Sequence, residues 1–196
     1  MDRDLRGTKE SLTGREEYMN PFDFLKKQLD QENLWTKSIE LKRNNFLKVK
    51  GSTDTNIYFV ETGSLRIFME DEFEEHTIRF AYPGSFFAAL DSFISGKPSP
   101  FFIQALKKCQ LLVLSKSIFL DFIQRDSERT RIWQQMMEQL ILQQMEREID
   151  ILTHSPMERY QRVLARSPHL FQEIPAKYIA SYLRMTPETL SRLKKA

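Results

Sequence analysis

The rhythm of apolar positions changes twice along this chain. Phe22, Leu25, Leu29 and Leu34 recur at helical spacing. Asn20-Pro21 ahead of them supplies an N-cap side chain and then proline at the first helical position. The pattern then turns to short β-branched and aromatic runs. "NIYFVETGSLRIFMED" holds two of them around Thr62-Gly63 and reads as strand, tight turn, strand. "HTIRFAY" alternates, with Ile78 and Phe80 on one face and Thr77 and Arg79 on the other. "PFFIQAL" and "CQLLVLS" follow, broken at Lys107-Lys108. Roughly six to eight short strands between turn signals predict a β-sandwich or jelly roll. Parallel βαβ units are excluded because no helix-length segments separate the strands.

From Ser117 the period is helical. "SIFLDFIQRD" predicts a short helix with Ile118, Phe119 and Phe122 facing inward. Glu128 to about Thr153 contains no glycine or proline and predicts one helix of about 25 residues, roughly 38 Å long. Trp133, Met137, Leu140, Gln144, Arg147 and Ile151 form one stripe along it; Ile132, Met136, Met145, Ile149 and Leu152 form an adjacent one. One stripe can pack on the preceding body and leave the other for a partner helix, or both can bury within the chain. A dimer is expected, because a long helix after a compact barrel has little else to cover its far side. The dimer seam is expected at Trp133, Met137, Leu140, Gln144 and Ile151. "THSPMER" then gives a capping box, with Ser155 as N-cap, Pro156 at the first position and Glu158 three after the cap. A domain boundary belongs there.

"IPAKYIASYLRMTPETLSRLKKA" has the pattern of a helix-turn-helix. Pro175 starts a short helix with Ile179, Ala180 and Leu183 inward, and Arg184-Met185-Thr186 makes the turn. Thr186 caps a second helix, Pro187 opens it, Glu188 complements its positive end, and Leu190 and Leu193 bury it. Its other face holds Glu188, Thr189, Ser191, Arg192, Lys194 and Lys195. Arg192 suits guanine O6 and N7, and Glu188 a cytosine amino group. Lys177, Lys194 and Lys195 suit phosphates. The bland alternative is a helical hairpin with a solvated basic face.

Charge supports the first reading. The whole chain carries +2, but Ser155 to Ala196 carries eight Lys or Arg against three Glu, a local +5. The single cysteine, Cys109, excludes an internal disulfide and an all-cysteine metal site, and reads as a packed strand thiol. No run could span a bilayer. The polar N-terminus has no signal-peptide core, so residues 1–19 are expected as a disordered tail in a cytoplasmic protein.

The order of parts resembles the cyclic-AMP receptor (Crp/Fnr) family of bacterial transcription regulators. "IYFVETGSLRIF", "YPGSFF" and "IASYLRMTPETLSRL" carry the likeness, which covers about Asn20 to Lys195. It implies an α+β chain: a jelly-roll sensor domain over 20–126, a dimerisation helix over 127–154, and a helix-turn-helix over 155–196 without the family's wing. It implies a homodimer on double-stranded DNA, read through Lys177, Thr186, Glu188, Thr189, Ser191, Arg192, Lys194 and Lys195. RNA polymerase is a further candidate partner. Pro187 stands where well-known members carry a base-contacting arginine, and Arg184 replaces the turn glycine.

The likeness also places an effector pocket at Gly84, Phe86, Phe87, Ala88, Ala89, Ser99 and Pro100. Nucleotide-binding members use a glycine and glutamate, then an arginine and serine or threonine, where this chain has Ala88, Ala89, Ser99 and Pro100. The ribose carboxylate has become a methyl group and the phosphate arginine a hydroxyl. A buried cyclic phosphate without a paired cation costs several kcal/mol. The pocket is therefore expected to take an unidentified apolar or weakly polar effector, or none. No cofactor is implied: an iron–sulfur cluster lacks cysteines, and His76 is the one barrel histidine. An enzyme is disfavoured, since a cupin-type metal needs several histidines. The competing function is a ligand-sensing or adaptor protein whose C-terminal helices bind protein.

Overall fold

Pro21 opens the first helix of the computed structural model, which describes residues 21–195. The expected tail over 1–19 and the Asn20 cap lie outside the described residues. α1 (Pro21–Gln31) buries Leu25 and Leu29, the apolar pair at the spacing read from the sequence. Eight strands follow among the described residues: β1 (Lys37–Leu41), β2 (Phe46–Lys48), β3 (Ile57–Thr62), β4 (Leu65–Glu70), β5 (Glu75–Ala81), β6 (Phe86–Ala88), β7 (Phe102–Ala105) and β8 (Cys109–Leu114). They form two four-stranded antiparallel sheets, ordered β1-β8-β3-β6 and β2-β7-β4-β5. Val60, Leu65, Ile103, Ala105 and Leu111 lie between the sheets without solvent contact. Burial of each large apolar side chain there contributes about 1.5–3 kcal/mol.

Two strand expectations change. β3 and β4 are not a hairpin: β3 lies beside β8 and β6, whereas β4 pairs with β5 and β7. Gly63 carries the chain from one sheet to the other at φ +86°, and a Cβ there would stand 2.3 Å from the Lys108 carbonyl oxygen. The local signal of strand, tight turn, strand is the same for a hairpin and a crossover. In β5, Ile67 pairs with Arg79 but Phe68 pairs with Thr77, so a register shift at Ile78 breaks the alternation. Thr77 is consequently buried, and Phe80 packs with the C-terminal helices.

β8 runs into α3 (Lys116–Gln124), capped by Ser115, and α4 (Ser127–Leu152), capped by Asp126. α3 buries Phe119, Phe122 and Ile123, whereas Ile118 is 36% exposed. Ile118 lies at the helix start, where its N–H donates to the Ser115 hydroxyl at 3.4 Å. α4 changes neighbours along its length. Ile132 and Met136 are buried on α1 and α3, and Trp133 meets Phe119 edge-on at 5.0 Å. Trp133 and Met137, expected at the dimer seam, are thus half-buried on the chain's own core. Beyond Leu140 the sandwich no longer covers that face. Ile141, Leu142, Met145, Ile149 and Leu152 stand 46–75% exposed.

α5 (Pro156–Arg166), α6 (Leu170–Glu173), α7 (Ala176–Tyr182) and α8 (Pro187–Leu193) complete the described chain. Ser155 accepts from Glu158 N at 3.3 Å, the cap expected of "THSPMER". These helices bury Val163, Ile179, Ala180, Leu183 and Leu190 together with Leu106 from the β7–β8 turn. The boundary at Ser155 is therefore a change of secondary structure across which a hydrophobic core is shared. The joint itself is ionic. Asp150 is fully buried on α4 and holds Arg162 Nε at 3.1 Å and the Arg166 guanidinium; Glu146 holds Arg162 at 2.7 Å.

Gly63→Ala should cost at least about 2 kcal/mol, because the methyl meets backbone and the φ suits glycine alone. Urea denaturation of the two proteins measures it; the buried Cys109 beside the turn, its thiol pushed up to about 11 by burial, should become reactive in step.

Candidate nucleic-acid interface

Ile179 and Ala180 on α7 and Leu183 at its C-cap have no exposed surface, and Leu190 on α8 is 1% exposed. Ala180 is small where the two helices cross. The turn between them is a Schellman closure: Arg184 N donates to Ser181 O at 3.1 Å and Met185 N to Ala180 O at 3.0 Å. That closure needs a left-handed residue, and Arg184 adopts φ +54°. Glycine would take this conformation without the roughly 1–2 kcal/mol penalty of a side chain. Two contacts offset it: the Arg184 carbonyl accepts from Arg159 Nη2 at 3.1 Å, and its own guanidinium meets His76 Nδ1 at 3.3 Å.

Thr186 caps α8, accepting from Thr189 N at 3.2 Å, and Pro187 sits in the first turn. Backbone N–H at this helix start, and the Thr186 hydroxyl, hold the exposed Glu188 carboxyl below its usual range. Glu188, Ser191 and Arg192 face solvent. Thr189 is half-buried, its hydroxyl 3.1 Å from that of Thr186, so the cap draws it off the exposed face. α8 ends at Leu193, leaving Lys194 and Lys195 just past it, both exposed. Lys194 leans over the Phe171 ring at 5.6 Å, and Lys177, exposed on α7, over Tyr178 at 4.5 Å. The expected residues therefore share one end of the molecule.

The opposite side of α7 is docked on the sandwich. Ser181 Oγ accepts from Thr77 N at 3.3 Å, donates to Glu75 O at 3.2 Å, and lies 3.2 Å from Thr77 Oγ1. Tyr182 packs on Phe80 with ring centres 5.5 Å apart. Arg66, only 4% exposed on β4, is held by Gln104 and by Glu75 at 2.6 Å, between the Phe68 and Tyr178 rings. A cleft of about 650 Å³ opens beside this contact, lined by Glu74, Glu75 and His76 on one side and Lys177, Arg184 and Glu188 on the other.

The expected effector residues lie on β6 and in the segments beside it. Phe86, Phe87 and Ala88 pair with β3 as β6, and Phe87 stacks on Tyr58 at 5.1 Å. Ala89 is buried ahead of α2 (Leu90–Ser95) and makes no side-chain cap. Ser99 is buried, its oxygen accepting from Phe101 N at 3.1 Å; Gly84 and Pro100 are exposed. A separate hollow of about 390 Å³ lies by Lys48, Asp54, Asn56 and Tyr58. Burial lowers the pKa of Lys48, which donates to Phe101 O at 3.1 Å. Neither hollow is lined by any of the seven expected residues. Lys48 escaped sequence reasoning because a lysine in a three-residue strand gives no sign of facing inward.

The family model described as cyclic nucleotide-binding domain matches residues 38–126. Over those residues the chain is similar to that domain. Solved structures extend the likeness of this domain and its helices. FixK2 from Bradyrhizobium japonicum is 17% identical, with a TM-score of 0.64 over 81% of this chain and 82% of that one. The c-di-GMP responsive global regulator CLP of Xanthomonas campestris is 14% identical, with a TM-score of 0.64 over 87% and 90%. A CooA mutant from Carboxydothermus hydrogenoformans is 16% identical, with a TM-score of 0.62 over 81% and 74%. These neighbours are regulators of the Crp/Fnr family, and at such identities the likeness is one of fold. No curated protein sequence matches the chain. No described helix is long and apolar enough to cross a membrane.

Thr186→Ala removes the cap of a seven-residue helix beside the domain. It should lower stability by about 1 kcal/mol, read by chemical denaturation, and should raise hydrogen exchange at Thr189 N above that at Leu183 N.

Proposed function

We propose that the chain is a Crp/Fnr-type transcription regulator that binds double-stranded DNA through α7 and α8 and acts as a homodimer. One observation carries this reading: α8 is capped, buried through Leu190, and turns Glu188 outward at its start, with Ser191 and Arg192 exposed one turn on. That is the end a recognition helix places in a major groove. Arg192 reads a base edge, Glu188 tunes base preference, and Lys177, Lys194 and Lys195 bind phosphates. The fold shared with known regulators and the local excess of basic residues support the same reading.

The dimer is built on the uncovered apolar face of α4, at Ile141, Leu142, Met145, Ile149 and Leu152. Five neighbouring large apolar side chains on one helix face are what a partner helix covers. Leu140, Gln144 and Ile151 flank this face, while Trp133 and Met137 support it from the chain's own core. The cassette corner takes no cyclic nucleotide: methyl groups stand at Ala88 and Ala89, and the Tyr58–Phe87 pair fills the space beside them. The chain acts as a regulator and not as an enzyme.

Genome-wide footprinting in the native host should recover a roughly palindromic site. On that site Arg192→Ala should weaken binding by roughly 10- to 100-fold, the loss of one bidentate base contact. Lys194→Ala should reduce the salt dependence by about one ion while leaving sequence preference unchanged. An intact dimer that binds no DNA at low salt sinks the proposal. A protein partner unaffected by changes at Glu188 and Arg192 would support an adaptor instead. Met145→Glu with Ile149→Glu should shift sedimentation from dimer to monomer while the sandwich stays folded.

A further inference from the structure

Two arginines at the meeting point of β5, α4 and α7 make no ion pair among the described residues. Arg147 is 7% exposed and makes no hydrogen bond among them; its Nη1 is enclosed without an acceptor. Its guanidinium lies flat over the Tyr182 ring at 3.8 Å. Arg79 makes one long hydrogen bond, 3.5 Å to Gln144 Oε1, and no ion pair. Gln144 and Arg147 are three residues apart on α4 and so share a face. Arg79 and Arg147 both lie within electrostatic reach of Tyr182, whose ring also packs on Phe80.

The surrounding charges do not resolve this. The Asp150 carboxylate is taken by Arg162 and Arg166, and Glu146 serves the same two arginines. Arg184 is turned to His76. Desolvation lowers the pKa of both Arg79 and Arg147; Tyr182 acts against this at both and Asp150 at Arg147, where Arg184 and Arg166 add to the lowering. About ten N–H donors are presented here, with a single long bond among them. Leaving such cations unpaired costs several kcal/mol, which an oxyanion would offset through paired N–H contacts.

We propose that this junction binds a small phosphate-bearing anion between the guanidiniums of Arg79 and Arg147, against Tyr182. A dianionic phosphate balances both arginines, whereas a single carboxylate balances one. The site is remote in sequence from the cassette at Gly84 to Pro100. It joins the sandwich, the long helix and the first helix of the helix-turn-helix, so occupancy would fix α7 in place. The inference does not depend on the DNA-binding reading, and its test uses no DNA.

Isothermal titration of the full chain with inorganic phosphate, and separately with methyl phosphate, should show saturable binding of one anion per chain at constant ionic strength. Tighter binding of methyl phosphate would mark an ester as the ligand, and tighter inorganic phosphate a free ion. Arg79→Gln and Arg147→Gln should each weaken binding at least tenfold, while Arg125→Gln, at an exposed arginine paired with Asp121, should leave it unchanged. Arg147→Lys keeps the charge without the fork and should fall between; it provides the measurement if the glutamine variant does not fold. The thermal midpoint should rise with phosphate in the native chain and not in the Arg79 variant. Absence of saturable binding, binding undiminished by changes at both arginines, or tighter binding of succinate than of either phosphate would overturn the proposal.

Discussion

Asp150 constrains more of this molecule than any other side chain. It is a carboxylate with no exposed surface, and such a group persists only when its lone pairs are satisfied by positive partners. Arg162 and Arg166, four residues apart on α5, both reach it, which fixes the rotation of α5 about α4. Val163 lies between them in sequence and faces the core shared with α7 and α8. Once α5 is fixed, Tyr182 falls beneath Arg147, one turn before Asp150, and Ser181 reaches β5. The long helix therefore orients the C-terminal helices through charge at its end, and supports the sandwich through Ile132 and Met136 at its start.

The secondary structure was largely legible in the sequence because local rules decide it. Caps at Ser155 and Thr186, proline after each, and the unbroken run before Thr153 all lie where the chain was expected to start or stop its helices. What could not be read depends on distant neighbours. The two stripes of α4 are chemically alike, and only the position of the sandwich decides that Ile132 is covered and Met145 is not. Arg147 fits a helix seam by spacing but is taken by Tyr182, thirty-five residues later. The turn at Gly63 looks like any hairpin turn, and only the approach of Lys108 explains why it must be glycine.

The cassette shows the same division. Its turn, strand and short helix are written in "YPGSFFAALDSFIS". What surrounds them was hidden. Tyr58, on another strand, stacks on Phe87, and its hydroxyl is tied to Asp54 at 2.7 Å. Lys48 and Arg66 place buried charge on strands whose residues otherwise read as ordinary sheet. A period-two pattern assigns faces only when the strand keeps its register. β2 and β5 both lose it at a shift, which puts Lys48 and Thr77 inside.

A helix of seven residues is too short to hold itself together in water. α8 is ordered by what surrounds it: the Thr186 cap, proline at its start, and Leu190 against the core that α7 completes. α7 is equally short and takes its own order from Ser181, Tyr178 and Tyr182 on the β4–β5 surface. The outward residues of α8 are thus held by packing that begins in the sandwich. A change at Thr77 or Phe80 acts on the position of Arg192 through α7, without touching it. The sandwich and α8 are two ends of one packed unit, and the polar face of α8 is left outward because Leu190 beneath it is already used in the core.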